Sequence, residues 1–218
     1  FPSPLSGRSL CPSCRHKLAW YDLIPLLSFI LLRAKCRYCH GRISLQYPLV
    51  ELLTGLTAVS AYLWADNPLL SFFIFAVFIV LFTSDFLYGT LPDEITLPAI
   101  LVLLISHFFP RSGIPFDGTS LIFNYLLSGL IPAGIFFLIN YLSKGRAMGE
   151  GDIRLVALMG FFLGFPKILI AMWAGFILGG VVSFALVLLK KKAFSSTIAL
   201  GPFLIIGILI SLIIPWRV

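Results

Sequence analysis

Asp85 closes one long apolar stretch of the chain, and Asp152, within Gly149-Glu150-Gly151-Asp152, opens another. A charged side chain at bilayer depth is disfavoured by roughly 2.5–3.5 kcal/mol on insertion scales, so acids in such places are candidates for chemistry. Two aspartates brought together can share one proton. One then acts as a base that activates water, and the other as an acid that protonates a carbonyl oxygen or a leaving amine. Such a pair hydrolyses an amide without a metal and titrates as a unit, so neither carboxylate is given a separate role. Gly149 and Gly151 remove side-chain bulk beside the second acid and permit unusual backbone angles, which would let an extended chain approach the carboxylate closely. Each acid also has a structural reading. Asp85 can be a helix-end acid satisfied by backbone amides or a lysine, and Asp152 a first-turn acid favoured by the helix macrodipole. The conjunction of the two, with their glycines, is what points to a site.

Two further acids are weighed against these. Asp93, after Leu91-Pro92, is a rival of Asp85 but suits the cap or first turn of the next helix. Glu51, one turn after Pro48, fits ordinary helix N-terminal chemistry, with a supporting site role as the other possibility.

The second set of reactive residues is Cys11-Pro12-Ser13-Cys14 and Cys36-Arg37-Tyr38-Cys39. This is two CxxC pairs at a spacing close to that of four-thiolate zinc sites. Two residues between thiolates let one tight turn offer both sulfurs at about 2.3 Å to one Zn2+, and four filled positions make the metal structural. Two disulfides are the competing arrangement, disfavoured if this segment faces a reducing compartment. His16 and His40 adjoin the pairs and read as polar residues of basic loops rather than ligands.

What must position these groups is a membrane protein. Hydrophobic residues make up 59% of the 218, charged residues only 11%, and mean hydropathy is +1.02, whereas soluble domains carry about 25% charge. The expected fold is an all-α polytopic membrane protein. It has about seven spans, near 47–65, 68–84, 94–110, 121–143, 153–166, 168–189 and 197–215. The fifth is short and interrupted by Gly160, Gly164 and Pro166. Residues 1–46 form a small four-cysteine zinc-binding domain and 47–218 the membrane domain. The apolar run Leu23 to Leu32 is too short to span and reads as interfacial or re-entrant. Gly175, Gly179 and Gly180 read as small residues allowing close helix packing. No internal repeat is evident.

Orientation follows from the cations. With residues 1–46 inside, Arg8, Arg15, Lys17, Arg33, Lys35, Arg37, Arg42, Lys144, Arg146, Arg154, Lys190, Lys191 and Lys192 are inside and only Arg111, Lys167 and Arg217 outside. Asp85 and Asp152 then both reach the cytoplasmic face. The net charge of +7 is scattered over loops rather than gathered on one surface, which argues against nucleic acid as a partner.

In order, Cys11-Pro12-Ser13-Cys14, Leu18-Ala19-Trp20, Leu23-Ile24-Pro25, Cys36-Arg37-Tyr38-Cys39, Ile43-Ser44, Tyr47-Pro48, Glu51, Asp85, Leu91-Pro92-Asp93 and Gly149-Glu150-Gly151-Asp152 with Leu155 resemble the bacterial type IV prepilin peptidases. These are also called prepilin leader peptidase/N-methyltransferases and belong with the GxGD aspartyl proteases. The resemblance covers nearly the whole chain. It implies a multi-pass protein of the bacterial inner membrane that cleaves the basic leader of type IV prepilins and type II secretion pseudopilins at the cytoplasmic face, after a glycine. Asp85 and Asp152 match the family's catalytic pair, and Cys11, Cys14, Cys36 and Cys39 its metal ligands. The resemblance further implies methylation of the new N-terminal residue using S-adenosylmethionine. No nucleotide-binding glycine motif marks a place for that cofactor. Members of the family begin with another membrane-spanning helix ahead of the cysteine domain, so on that pattern an eighth helix would precede residue 1.

Two other classes compete. A proton- or cation-coupled transporter using Asp85 and Asp152 would place acids near mid-span, whereas both lie at span ends on one face. A scaffold that grips a partner through the zinc domain would explain the cysteines but not the paired acids.

Overall fold

Backbone that enters hydrocarbon must satisfy its own hydrogen bonds, and among the described residues the apolar stretches after residue 46 do so as helices. The computed structural model describes residues 9–64, 67–108, 118–146, 148–189 and 199–214. Among these there is no strand, only two isolated bridges. A 3-10 turn, Trp20–Leu23, is followed by α1 (Leu27–Leu31), α2 (Gln46–Trp64), α3 (Pro68–Tyr88), α4 (Asp93–Phe108), α5 (Gly118–Leu142), α6 (Glu150–Leu163), α7 (Lys167–Leu188) and α8 (Gly201–Ile213).

Among the described residues three helical segments are long and apolar enough to cross a membrane, namely Pro68–Tyr88, Ile122–Leu142 and Lys167–Leu188. α4, α6 and α8 run 16, 14 and 13 residues, or about 20–24 Å at 1.5 Å per residue, less than the roughly 30 Å of hydrocarbon. The expected spans at 47–65, 94–110 and 197–215 each reach beyond the described residues at one end or both, as do Arg8, Arg111, Lys190 to Lys192 and Arg217 of the orientation count.

The chain divides into two compact units, Phe1–Ala76 and Val77–Val218. In the first, the run Leu23 to Leu32 is not one helix. Leu26 takes φ 59°, ψ −44° after Pro25, and only the five residues of α1 follow. Glu51 reaches back from α2, and its Oε2 accepts the Leu26 N–H at 2.8 Å.

In the second unit α6 is the central element. Leu155, Val156, Leu158 and Met159 have no exposed surface. α5 closes on it where a Cβ on Gly160 would strike the Ser128 carbonyl and one on Gly129 would strike the Phe161 ring. Ser128 Oγ donates to the Gly160 carbonyl at 2.7 Å. Gly164 ends α6 at φ 71°, as a residue without Cβ can. α7 and α8 meet in the same way, with Gly207 against the Ala171 carbonyl and Gly175 against the Leu204 backbone. Gly179 faces the Phe203 ring, but Gly180 has nothing within 4 Å, so the packing role expected of it is not seen. Large apolar side chains such as Trp173 and Phe184 on α7 and Phe137 on α5 point outward, as lipid-facing residues do.

Candidate active site

α3 continues one turn past the end expected for it, until Gly89 (φ 65°) donates to the Asp85 carbonyl at 2.9 Å and stops it. Asp85 is therefore inside the last turn of a helix. There the macrodipole works against a carboxylate, and the side chain is only 5% exposed. Its Oδ2 accepts no hydrogen bond from any described residue.

α3 touches α6 through an aromatic pair. Phe78 meets Phe162 edge to face, ring centroids 5.6 Å apart. Seven residues on from Phe78 is Asp85, and seven back from Phe162 is Leu155, which is two turns along each helix. Asp85 and Leu155 meet again at the start of α8, where a Cβ on Gly201 would strike Asp85 Oδ2 and lie 3.4 Å from Leu155 Cδ2. Asp152 is one turn before Leu155 on α6 and half-buried. Leu155 thus links the two acids, lying beside Asp85 across Gly201 and one turn from Asp152 on its own helix.

Asp152 sits in the first turn of α6, whose N-cap is Gly149. The unusual backbone angles expected of the flanking glycines are not used. Gly149 is extended at φ −74°, ψ 147°, and neither glycine has positive φ. Their use is spatial. A Cβ on Gly151 would come within 2.9 Å of Leu91 Cβ, and one on Gly149 would touch Asp152 Oδ2 at 3.4 Å.

Asp93 occupies the first position of α4, and its carboxylate is engaged by Arg154 Nη1 rather than by the orphan amides of its own helix. The same guanidinium lies 3.6 Å from Glu150. Asp93 thus ties the start of α4 to the turn that carries Asp152. Two contributors escaped the sequence reading, Gly201 and Arg154. The Gly201-Pro202 dipeptide that opens the last apolar stretch is the signal that could have found the first.

The cysteines form a separate cluster in the first unit. The four Sγ atoms lie within 4.8 Å of one another, none is in a disulfide, and Cys11 and Cys39 are 3.9 Å apart. Sulfurs around one ion at about 2.3 Å would be about 3.8 Å apart, so the four thiols fit a tetrahedral metal site. The turns that carry them are copies of each other twenty-five residues apart. Leu18 N–H donates to Ser9 and Ile43 N–H to Ala34; Cys11 N–H donates to His16 and Cys36 N–H to Gly41; Arg15 N–H donates to Cys11 and His40 N–H to Cys36. Arg15 and His40 both take positive φ, 56° and 55°. The sequence showed no repeat because only the cysteines coincide.

The backbone N–H groups of Cys14 and Ser13, with the neighbouring thiols, draw the Cys11 thiol down to about 6. At Cys39 the Gly41 N–H acts in the same direction but is outweighed by burial and the three other sulfurs, which push that thiol up to about 11. Four crowded sulfurs resist ionising together unless a cation neutralises them. Asp22, its side chain 3% exposed, braces the second turn by accepting from Arg37 Nε at 2.8 Å, and the Arg37 guanidinium lies over the Tyr21 ring. The His16 ring stacks on Tyr38 at 3.7 Å.

Comparison with known proteins now bears on both clusters. Residues 72–184, which include Asp85 and Asp152, match the type IV leader peptidase family. The chain belongs to this family. Residues 2–65, with all four cysteines, match the bacterial peptidase A24 N-terminal domain. The chain is 32% identical over 205 residues to a prepilin leader peptidase/N-methyltransferase of Aeromonas hydrophila, covering 92% of this chain and 69% of that one. It is 32% identical over 162 residues to the protein so named from Vibrio cholerae, 73% and 63% of the two chains, and 33% over 193 residues to that of Myxococcus xanthus, 85% and 56%. No solved structure matches the chain. As a type IV leader peptidase family member with membrane-length apolar helices, the chain is a membrane enzyme.

Proposed function

We propose that this enzyme is an aspartyl endopeptidase that removes the leader of type IV prepilins and pseudopilins, with Asp85 and Asp152 as its catalytic pair. The observation that carries the reading is the start of α8, where the Gly201 Cα lies beside both the buried Asp85 carboxylate, whose Oδ2 has no partner among the described residues, and Leu155, one turn from the half-buried Asp152. The pair holds one proton between its members. The ionised carboxylate takes a proton from water as the oxygen attacks the scissile carbonyl, and the protonated one donates to the carbonyl oxygen. When the tetrahedral adduct collapses, the C–N bond breaks, the amine leaves with a proton from the pair, and the leader departs with the new carboxyl group. Exposed Glu94 and Glu150, in the first turns of α4 and α6, suit a basic leader.

The protein sits in the inner membrane with seven spans, and the charge count supports a cytoplasmic site and a cytoplasmic domain 1–46 before the protease domain 47–218. Cys11, Cys14, Cys36 and Cys39 would hold a structural Zn2+ that pins the two turns together. Methylation of the new N-terminus from S-adenosylmethionine is proposed on the names of the relatives. Gly149, Gly151, Asp93 and Glu51 support the fold around the sites rather than act on substrate.

The test is to incubate the purified protein, as isolated and with a chelator, with a prepilin and measure leader loss by mass. Cleavage that survives zinc removal but fails in Asp85→Asn and Asp152→Asn supports the reading. Full activity in either variant removes that residue from the pair, and ion flux through vesicles without cleavage would favour the transporter.

A further inference from the structure

Asp85 stands where its own helix should not favour an acid. It is buried in the last turn of α3, and Oδ2 has no partner among the described residues. Something else must make that position tenable, and the side chain points to it. The carboxylate is aimed at the start of α8, a 13-residue helix whose first turn holds Gly201 and Pro202. Proline has no N–H, and the Phe203 and Leu204 amides both bond to the Leu200 carbonyl. The Gly201 N–H has no backbone partner among the described residues and stands at the end of α8 that faces Asp85. A Cβ at position 201 would occupy the space held by Asp85 Oδ2 and touch Leu155, the α6 residue one turn from Asp152.

We infer that Gly201 is a positioning residue of the reaction: by carrying no side chain where α8 begins, it leaves the space in which the Asp85 carboxylate lies and so sets how near that carboxylate comes to Asp152. Three helices meet at this one Cα. α3 brings Asp85, α6 brings Leu155, one turn from Asp152, and α8 brings a positive helix end. Gly201 lies outside residues 72–184, the part of the chain that matches the peptidase family. The inference rests on Asp85 and Asp152 being the catalytic pair.

Gly201→Ala, Asp85→Asn and, as a control, Gly180→Ala, which would meet nothing within 4 Å, are compared by kcat and KM on a prepilin and by membrane accumulation. Displacing a reacting group by about 1 Å can cost about 100-fold in rate. Gly201→Ala should therefore lose about 100-fold in kcat with KM within about threefold, while Gly180→Ala behaves as the unsubstituted protein. If Gly201→Ala does not accumulate, Gly201→Ala/Asp85→Ala is made; recovered accumulation locates the clash at the carboxylate, and none overturns the inference. Unchanged kcat in Gly201→Ala, or a raised KM alone, overturns it while an inactive Asp85→Asn leaves the catalytic pair standing. An active Asp85→Asn ends the catalytic pair itself.

Discussion

The four cysteines reach one another through two ten-residue turns, each closed by its own backbone hydrogen bonds, whereas the surroundings of Asp85 are built where three helices converge. The first arrangement is local and written twice. Its sulfurs crowd together on a frame that a metal would complete. The second has no local frame. Asp85 lies two turns beyond the Phe78–Phe162 contact and meets Leu155 across Gly201, while Asp152 is one turn before Leu155 on α6. A local turn tolerates change elsewhere in the protein, while a convergence of helices is as precise as its least well packed contact. Substitutions should separate these two kinds of construction.

Replacing either carboxylate isosterically tests the helical site most directly. Asp85→Asn and Asp152→Asn should each lower leader cleavage by about 10²–10⁴-fold, the usual worth of a positioned acid or base. Membrane accumulation should be unchanged or raised, since Asn removes a buried charge without changing size. If one variant lost activity only together with accumulation, that carboxylate would be holding the fold, and the contrast with the cysteine unit would weaken.

Cys36→Ser breaks the local site. Loss of one of four thiolates should reduce zinc retention by on the order of 100-fold or more, measured as metal content after dialysis. The pH dependence has a definite sign. A metal must displace the proton of Cys39, pushed up to about 11, while Cys11, drawn down to about 6, is already ionised at pH 7. Zinc affinity should therefore rise by at least about tenfold per pH unit above 6 and fall more steeply below 6, where Cys11 also binds a proton. An affinity flat between pH 6 and 8 would mean the four sulfurs do not share one ion.

The same contrast decides what could be read from the sequence. CxxC twice over names its own geometry, because two intervening residues are the turn. What stayed hidden was that the turns are copies, since their common feature is left-handed backbone at Arg15 and His40, residues with no resemblance to one another. The aspartates stood out by the cost of placing them, and the helices by their apolar length. Which helix touches which was not legible, because apolar faces in lipid look alike from sequence. Phe78, Phe162 and Gly201 carry no mark beyond a Gly-Pro pair. Of the two reasons for noticing Gly149 and Gly151, the missing side-chain bulk holds and the unusual backbone angles do not. The glycines make room against Asp152 and Leu91 instead of adopting angles closed to other residues.

Gly160→Ala probes how far the helical site depends on packing remote from it. The added Cβ would strike the Ser128 carbonyl, and overpacking of this kind typically costs about 1–3 kcal/mol. The expected outcome is a lower thermal midpoint in detergent, with zinc content unaffected because Gly160 and the cysteines belong to different compact units. Loss of zinc in this variant would show that the two units do not stand separately.

Arg154 should give the smallest effect, and it asks where the helical site ends. Its guanidinium joins Asp93 on α4 and Glu150 on α6, two residues from Asp152. The pair is partly exposed, Asp93 at 47% and Arg154 at 33% of their side chains, and such pairs contribute about 0–1 kcal/mol. Arg154→Gln should therefore lower kcat/KM by no more than about fivefold, roughly 1 kcal/mol. Asp93→Asn should cost no more than Arg154→Gln, which also loses Glu150, and the double variant should be no worse than Arg154→Gln alone, since the interaction with Asp93 is already gone there. Losses that add, or an Arg154→Gln variant as inactive as Asp152→Asn, would move Arg154 from a brace between α4 and α6 into contact with the substrate. The helical site would then extend to the guanidinium, and the cation would be acting on the reacting groups directly instead of through the placement of Asp152.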